Sequence, residues 1–202
     1  MATLNDNALC SLDDVKESLG IASSDTSYDN LIIRKINQAS QAIENYCERS
    51  FKAADYVEDI NGTDTDEITL KQRPINGDIT LSYRGTVENL DNFYDVNSNY
   101  YFADTTAGIV KLLFNANGKW SAWRVTYNAG YTTIPSDLAE ACADLAAYYV
   151  MNADGNINVQ ERQEGQRRVR YYPGIQGFRN LCVQLGIDQV IDSYANWPLI
   201  SQ

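Results

Sequence analysis

Histidine is missing from this chain of 202 residues. Because histidine is the commonest general base in enzymes and the usual partner of a nucleophilic serine or cysteine, its absence counts against a triad-type hydrolase. It also removes a ligand type that many zinc sites use. The sequence contains no phosphate-binding glycine loop and no acidic loop with full calcium-binding spacing. We therefore expect no catalytic residue, no metal site and no cofactor.

Positively charged residues are scarce. The chain has 16 lysines and arginines against 27 aspartates and glutamates, for a formal net charge of -11 at pH 7. Sequence-independent binding of nucleic acid needs many cations, because they displace the counterions from the phosphates. The composition therefore argues against a protein that holds DNA or RNA through its surface charge.

Long apolar runs and paired cysteines are also lacking. No run reaches the ~20 apolar residues of a membrane-spanning helix, and residues 1–7 lack the pattern of a signal peptide. The cysteines are far apart in the sequence and form no C-x-x-C pair: Cys10, Cys47, Cys142 and Cys182. We expect no membrane contact, and we interpret the cysteines as buried thiols in a reducing cytosol.

Helical periodicity is present in four segments. Ser11 is placed as an N-cap with Asp14 three residues later, which is typical of a capping box. The strongest apolar stripe follows in the next segment, at Ile32, Ile36, Ala39, Ile43 and Tyr46. Pro135 is placed as a first-turn proline before an alanine-rich stretch. The four predicted helices lie near 11–20, 28–49, 135–152 and 174–186.

The residue pattern in the middle of the chain is typical of β-strands. Short β-branched and aromatic runs alternate there with turn residues, which predicts antiparallel hairpins. The candidate strands are 56–60, 67–71, 79–83, 93–96, 100–103, 109–114 and 123–127, and the predicted turns are Asn61-Gly62, Asn76-Gly77, Ala107-Gly108 and Asn117-Gly118.

These patterns together predict an α+β fold, a small helical bundle with an antiparallel β insertion between its second and third main helices. Residues 1–50 and 132–186 form the predicted helical platform, and residues 51–131 form the inserted β domain. Residues 187–202 form a C-terminal tail that we expect to be a docking segment.

Three sequence features occur in this order and resemble a known family. A short helix beginning Leu12-Asp13-Asp14-Val15-Lys16 precedes a long one that ends Ile43-Glu44-Asn45-Tyr46-Cys47. The β region contains Leu70-Lys71-Gln72-Arg73-Pro74-Ile75. Its last strand reads Val125-Thr126-Tyr127-Asn128-Ala129-Gly130-Tyr131, followed by Ile134-Pro135-Ser136-Asp137-Leu138. From about Cys10 to Tyr149 the chain resembles the head-tail connector proteins, also called adaptor or head completion proteins, of tailed bacteriophages.

The resemblance implies a structural protein rather than an enzyme. Such a subunit is made in the bacterial host cytoplasm and ends in the neck of the virion, in a ring of about twelve copies. Its implied partners are the portal protein, other copies of itself and a tail, nozzle or stopper protein. Packaged DNA would pass through an acidic lumen without specific binding.

Two groups of residues are candidates for partner contacts. The first is the locally basic run Arg162, Arg167, Arg168, Arg170, Tyr171 and Tyr172, of residue types that are enriched at protein interfaces. It could equally be a solvated loop that nearby glutamates partly neutralise. The second is the apolar tail at Trp197, Leu199 and Ile200, which either folds back on the core or docks on a partner.

A further group is a structural corner formed by Tyr127, Gly130, Tyr131 and Pro135. A strand has to leave the sheet and reverse into a helix there. We expect Gly130 to supply the backbone conformation, the tyrosines to pack around the corner, and Pro135 to fix the first helical turn.

The many aromatic residues leave one other function open. Fourteen tyrosines and three tryptophans would suit an aromatic-rich, tail-associated carbohydrate-binding module, although aromatics in strands usually pack on a sheet. A cell-wall hydrolase is a third and weaker hypothesis, because histidine is absent.

Overall fold

The computed structural model describes residues 2–61, 65–84, 93–114, 122–153 and 175–195. They form two compact units. The first contains the described residues of Met1–Arg49 and Ile134–Gln202, and the second contains those of Ser50–Thr133. The first unit is helical and the second is built from strands, so the predicted α+β class is confirmed.

The described residues of the helical unit contain five α-helices. None of these described helices is long and apolar enough to cross a membrane. Their bounds are α1 Leu12–Ser18, α2 Asp29–Cys47, α3 Ser136–Met151, α4 Ile175–Leu185 and α5 Asp188–Tyr194.

Helix α1 begins with the predicted capping box. The Ser11 hydroxyl accepts the Asp14 backbone N–H at 3.2 Å, and the Asp14 carboxylate accepts the Ser11 N–H at 2.7 Å. Two otherwise unpaired backbone donors are thereby satisfied, which contributes about 1 kcal/mol to the stability of a helix end.

The lysine of α1 is buried although it is charged. Lys16 is 2% exposed, its ammonium lies 2.7 Å from an Asp29 carboxylate oxygen, and it donates to the Ser23 carbonyl at 3.2 Å. These contacts connect α1 to the following loop and to the first residue of α2. The burial of this charge is therefore matched by a nearby carboxylate.

Helix α3 packs against the other helices of the unit. Its small buried residues, Ala141, Ala143, Ala146 and Ala147, allow neighbouring backbones to approach closely. Leu138 and Leu145 are fully buried in the same core as Ile32, Ile36 and Ile43 of α2. Each such leucine contributes on the order of 2 kcal/mol through the apolar surface it removes from water.

The first part of the expected C-terminal tail is a packed helix. Ile187 and Ile191, four residues apart, are both buried, and Tyr46 of α2 donates to Asp192 at 2.7 Å. The Tyr194 hydroxyl donates to Asp137 at the start of α3, at 2.9 Å. The expected tail therefore begins with a helix that packs within the helical unit, and docking by residues 187–202 stays a prediction.

The described residues of the second unit contain seven strands, and the pairings between these strands are all antiparallel. One sheet has the order β1-β7-β3-β4 and the other has the order β2-β6-β5. The bounds are β1 Ala54–Asn61, β2 Glu67–Thr69, β3 Ile75–Arg84, β4 Tyr94–Asp95, β5 Tyr101–Asp104, β6 Ile109–Leu112 and β7 Ala122–Ala129.

Both sheets contribute to one apolar core. Ile68 and Val110 come from the three-stranded sheet, and Leu81, Trp123 and Val125 come from the four-stranded sheet. Trp123 is 1% exposed and is among the largest buried side chains of the chain. The two sheets are therefore stabilised by packing on each other as well as by their own ladders.

The hairpin prediction holds for one turn and is wrong for another. Ala107-Gly108 connects β5 to β6, with Gly108 at φ +70°. Asn76-Gly77 lies inside β3 instead, where the pairing with β7 shifts in register between Asn76 and Thr80. Gly77, at φ +76°, permits this irregularity without ending the strand. Gly62 and the Asn117-Gly118 turn lie outside the described residues.

Candidate functional site

Gly130 is the point at which the last strand of the β unit meets the unit's first residues. Its φ is +106°, and a Cβ built on it would lie 2.5 Å from the Lys52 carbonyl oxygen. The Tyr131 N–H donates to the Phe51 carbonyl at 2.6 Å, and the Ala53 N–H donates to the Tyr131 carbonyl at 3.1 Å. Only a residue without a side chain fits this backbone approach, which brings the two ends of the β unit together.

A polar ladder supports the same corner from within the four-stranded sheet. The Asn76 amide donates to the Gly130 carbonyl at 2.8 Å and to Asn128 Oδ1 at 3.0 Å. Asn128 in turn donates to Asp55 at 2.8 Å. The Gly130 N–H donates to the Pro74 carbonyl at 2.9 Å. The corner is therefore fixed by β1, β3 and the segment before β3.

Tyr127 connects the corner strand to the Leu70–Ile75 segment. Its hydroxyl donates to the Glu58 carboxylate and accepts the Gln72 backbone N–H at 3.3 Å. Glu58 also accepts the Lys71 N–H, at 3.2 and 3.3 Å from its two oxygens. Two motifs that are separate in the sequence, Leu70–Ile75 and Val125–Tyr131, thus share one hydrogen-bond network.

The environment of Tyr127 raises the pKa of its hydroxyl. Burial is the main cause, and the hydrogen bond to Glu58 and the negative charge of that carboxylate add to it. All three favour the neutral phenol over the phenolate. Tyr127 therefore remains a hydrogen-bond donor over the whole neutral range.

Pro135 lies one residue earlier than the predicted first-turn position. Helix α3 starts at Ser136, and Pro135 occupies the N-cap with φ -54° and ψ 138°. Its carbonyl accepts the Ala139 N–H at 2.9 Å. Because a proline at this position has no N–H to leave unpaired, it still marks the start of the helix.

The predicted partner-contact residues lie outside the described residues. These are Arg162, Arg167, Arg168, Arg170, Tyr171, Tyr172, Trp197, Leu199 and Ile200. The structure therefore brings Tyr127, Gly130 and Tyr131 together in the β unit and leaves the contact hypothesis as a prediction.

The aromatic residues divide between core and surface. Trp123 and Tyr127 are buried, and Tyr83 packs against the same core. A sugar-binding platform needs exposed rings, so these three do not support the carbohydrate hypothesis. Exposed apolar side chains do occur on the three-stranded sheet and its 3-10 turn, at Tyr100 (57% exposed), Phe102 (50%) and Leu113 (59%).

The polar residues of the described site hold the β unit together. Their polar atoms hold one another in hydrogen bonds, and no group of three or more histidine, cysteine, aspartate or glutamate residues in the described ranges is placed to hold a metal ion. The arrangement closes and stiffens the β unit.

A family model described as head completion protein matches residues 8–165 of this chain. The chain belongs to the head completion protein family. The resemblance recognised in the sequence is therefore confirmed, and the match spans helices α1 to α3 and the β insertion. No curated protein matches the chain.

Solved structures share the fold of this head completion protein. A chain of a structure described as the neck of an empty GTA particle computed with C6 symmetry aligns with a TM-score of 0.59 and 14% identity. The alignment covers 100% of this chain and 96% of that one.

A chain from the virion of a native gene transfer agent (GTA) particle gives a TM-score of 0.58 and 15% identity over 99% and 96% of the two chains. A third match is to the neck of a native GTA particle computed with C12 symmetry, with a TM-score of 0.55, 15% identity and coverage of 100% and 96%. At this low identity the likeness is one of fold.

Sequence reasoning missed Glu58, although a signal was present. Tyr56, Glu58 and Ile60 alternate along β1 and therefore share one face of the strand. Tyr56 and Ile60 pack against the core. A carboxylate between two core-facing apolar residues needs hydrogen-bond donors, and Tyr127 and Lys71 supply them.

Substituting Gly130 by alanine should destabilise the protein more than the same change at Gly77. Both glycines have positive φ, but a Cβ at Gly77 would meet nothing within 4 Å. We expect Gly77→Ala to cost about 1 kcal/mol from backbone strain alone. Gly130→Ala should cost about 3 kcal/mol or more, because the Lys52 backbone has to move. Urea unfolding measures both, and equal losses would contradict the role given to this contact.

Substituting Tyr127 by phenylalanine should weaken the alkaline sensitivity of the fold. Because the pKa of Tyr127 is raised in the folded state, the folded chain keeps a proton that the unfolded chain loses above about pH 10. The stabilisation that comes from the raised pKa of Tyr127 is fully present below about pH 10 and is lost as the pH rises further.

The measurement is thermal or urea unfolding at intervals between about pH 8 and pH 11. Tyr127→Phe should also cost about 1 kcal/mol at neutral pH, since Glu58 and the Gln72 N–H lose a partner. Tyr100→Phe, at a residue with 57% exposure, is the matched control. If the stability of Tyr127→Phe fell with rising pH as steeply as that of the wild type, the raised pKa of Tyr127 would not be the cause of the alkaline sensitivity.

Proposed function

We propose that this chain is a structural head-tail connector, or adaptor, subunit of a phage neck. In this role about twelve copies form a ring that attaches to the portal protein and extends the DNA channel. The ring provides the docking surface for a tail, nozzle or stopper protein. The observation that carries the proposal is membership of the head completion protein family over residues 8–165.

The whole-length fold similarity supports a ring. The matching chains come from particle necks whose structures were computed with C6 and C12 symmetry, and nearly the whole of each chain aligns. In a closed cyclic ring, one face of each subunit binds the opposite face of its neighbour. A protein that shares their fold throughout has the architecture for such a contact.

The charge of the chain supports a lumen that lets DNA slide. The net charge is -11, and α3 carries Asp137, Glu140 and Asp144 with no lysine or arginine. Like charge opposes tight binding of the phosphate backbone, so packaged DNA passes without specific contacts. We assign the subunit no catalytic step, and place it in the virion neck after synthesis in the host cytoplasm.

The partner contacts belong to this proposal as well. We assign binding of the portal or of a neighbouring subunit to Arg162, Arg167, Arg168, Arg170, Tyr171 and Tyr172, and to Trp197, Leu199 and Ile200. Arginine and aromatic residues are enriched in the energetically important parts of interfaces. The run from Arg162 to Arg170 also concentrates cations in a chain that is otherwise acidic.

Cryo-electron microscopy of the purified particle tests the role directly. We expect density for this chain as a ring between portal and tail. The helical unit and the β unit should each fit that density as a separate body. Density for the chain at the tail tip or the baseplate would contradict the proposal and would favour the carbohydrate-binding alternative.

Charge reversal in the basic run should impair assembly without unfolding the protein. We expect Arg167→Glu/Arg168→Glu to reduce copurification with the portal protein, or self-association into rings, by about tenfold or more. The matched control is Arg34→Glu/Lys35→Glu, which changes the net charge equally on α2. Both variants should keep the wild-type melting temperature. Assembly that is equally reduced in both would indicate a general charge effect and would contradict a specific contact.

A further inference from the structure

Two cysteines that are far apart in the sequence meet in the helical unit. Cys10 lies just before α1 and Cys142 lies in the middle of α3, and their sulfur atoms are 3.6 Å apart. Both side chains are buried, and all four cysteines of the chain are free thiols. The contact joins positions 132 residues apart.

We propose that Cys10 and Cys142 are a site of covalent cross-linking, at which a disulfide forms when the protein meets a peroxide oxidant. That the protein meets an oxidant at all rests on the proposed function. A neck subunit is made in a reducing cytosol and then leaves the cell with the particle, where disulfides persist.

The geometry of the pair is close to that of a bond. A disulfide needs the sulfurs about 2.05 Å apart, so they have to approach by roughly 1.5 Å. The proposal assigns this movement to rotation of the two side chains. Cys47, by contrast, directs its sulfur toward the Ile191 carbonyl at 3.6 Å.

The surroundings of Cys142 stabilise its thiolate. The Cys10 thiol donates to Cys142 Sγ, and the Ser40 hydroxyl lies 3.5 Å from the same sulfur. Ser40 Oγ also accepts the Leu9 N–H at 3.0 Å, and a hydroxyl can accept one hydrogen bond while it donates another. The Cys10 thiol and the Ser40 hydroxyl are thus both within hydrogen-bond distance of the Cys142 sulfur.

These donors separate Cys142 from the other cysteines. The hydrogen bonds from Cys10, from Ser40 and from the Leu9 backbone lower the pKa of Cys142 against the opposing effect of burial. Burial raises the pKa of Cys47 and of Cys182 to about 12. The thiolate is the reactive form of cysteine, so Cys142 is the nucleophile of the pair.

The reaction balances with hydrogen peroxide as the oxidant. The Cys142 thiolate attacks one peroxide oxygen, the O–O bond breaks, and hydroxide leaves with the electron pair, giving a sulfenic acid. Cys10 sulfur then attacks the sulfenic sulfur, the S–O bond breaks, and the thiol proton leaves with hydroxide as water. The hydroxide from the first step takes up the proton that Cys142 lost on forming its thiolate, so two thiols and one peroxide give one disulfide and two waters.

The bond would tie the segment before α1 to α3. A cross-link between distant positions restricts the unfolded chain far more than the folded one. We expect the oxidised protein to melt on the order of 5 to 10 °C above the reduced protein.

The test is disulfide mapping of the purified wild-type chain with and without hydrogen peroxide. Free thiols are blocked after denaturation, the chain is digested without reductant, and peptides are identified by mass spectrometry. We expect one linked pair containing Cys10 and Cys142, lighter by two hydrogens than the separate peptides. Alkylated Cys10 and Cys142 after treatment, or only sulfinic and sulfonic products, would overturn the proposal.

Two double variants separate this pair from the rest of the chain. Cys47→Ser/Cys182→Ser should keep the cross-link and the peroxide-induced rise in melting temperature. Cys10→Ser/Cys142→Ser should lose both. A rise that persists in the latter variant would also overturn the proposal, and mapping of the wild type decides the matter even if a variant fails to fold.

The outcome is independent of where the protein resides. Mapping uses the isolated chain, whereas the neck assignment is read from particle density, so either can fail alone. The same mapping on released particles should find the cross-link there, and cytosolic protein should show free thiols.

Discussion

The fold depends on the close backbone approach of Gly130 to Lys52. The β unit is inserted into a helical unit, so its first and last residues have to return to the same place. At Gly130 they lie so close that a single β-carbon would overlap the Lys52 carbonyl. The hydrogen bonds that link Tyr131 with Phe51 and Ala53 then join the two ends. Because the approach is between backbones, side-chain packing elsewhere cannot substitute for it.

Strand β7 extends the effect of this closure into the sheet. It pairs with both β1 and β3, the strands nearest to it in space but among the furthest from it in sequence. Glu58 and Tyr127 then link this sheet to the segment that follows β2. The four-stranded sheet therefore depends on pairings between segments that are far apart in the sequence.

Local features of the sequence predict most of the elements, but not how they pair. Periodicity and capping at Ser11 identify the helices, since these signals lie within a few residues of one another. The strands follow from β-branched runs, whereas their order depends on contacts between distant segments. Asn76-Gly77 has the composition of a hairpin turn and lies in a strand, because pairing with β7 outweighs local turn preference. No pattern within a few residues predicts that Cys10 and Cys142 lie together. Helix α5 was likewise not predicted from the sequence, and in the structure it packs on α2 and α3.

Because residues 51–53 and 130–131 are in contact, the chain enters and leaves the β unit at adjacent positions. The separation between the first and last residues of the β unit is set by the contact of Gly130 with Lys52, whatever number of strands lies between them. A change of loop length or of a surface residue that leaves this contact in place therefore leaves the two ends of the β unit adjacent.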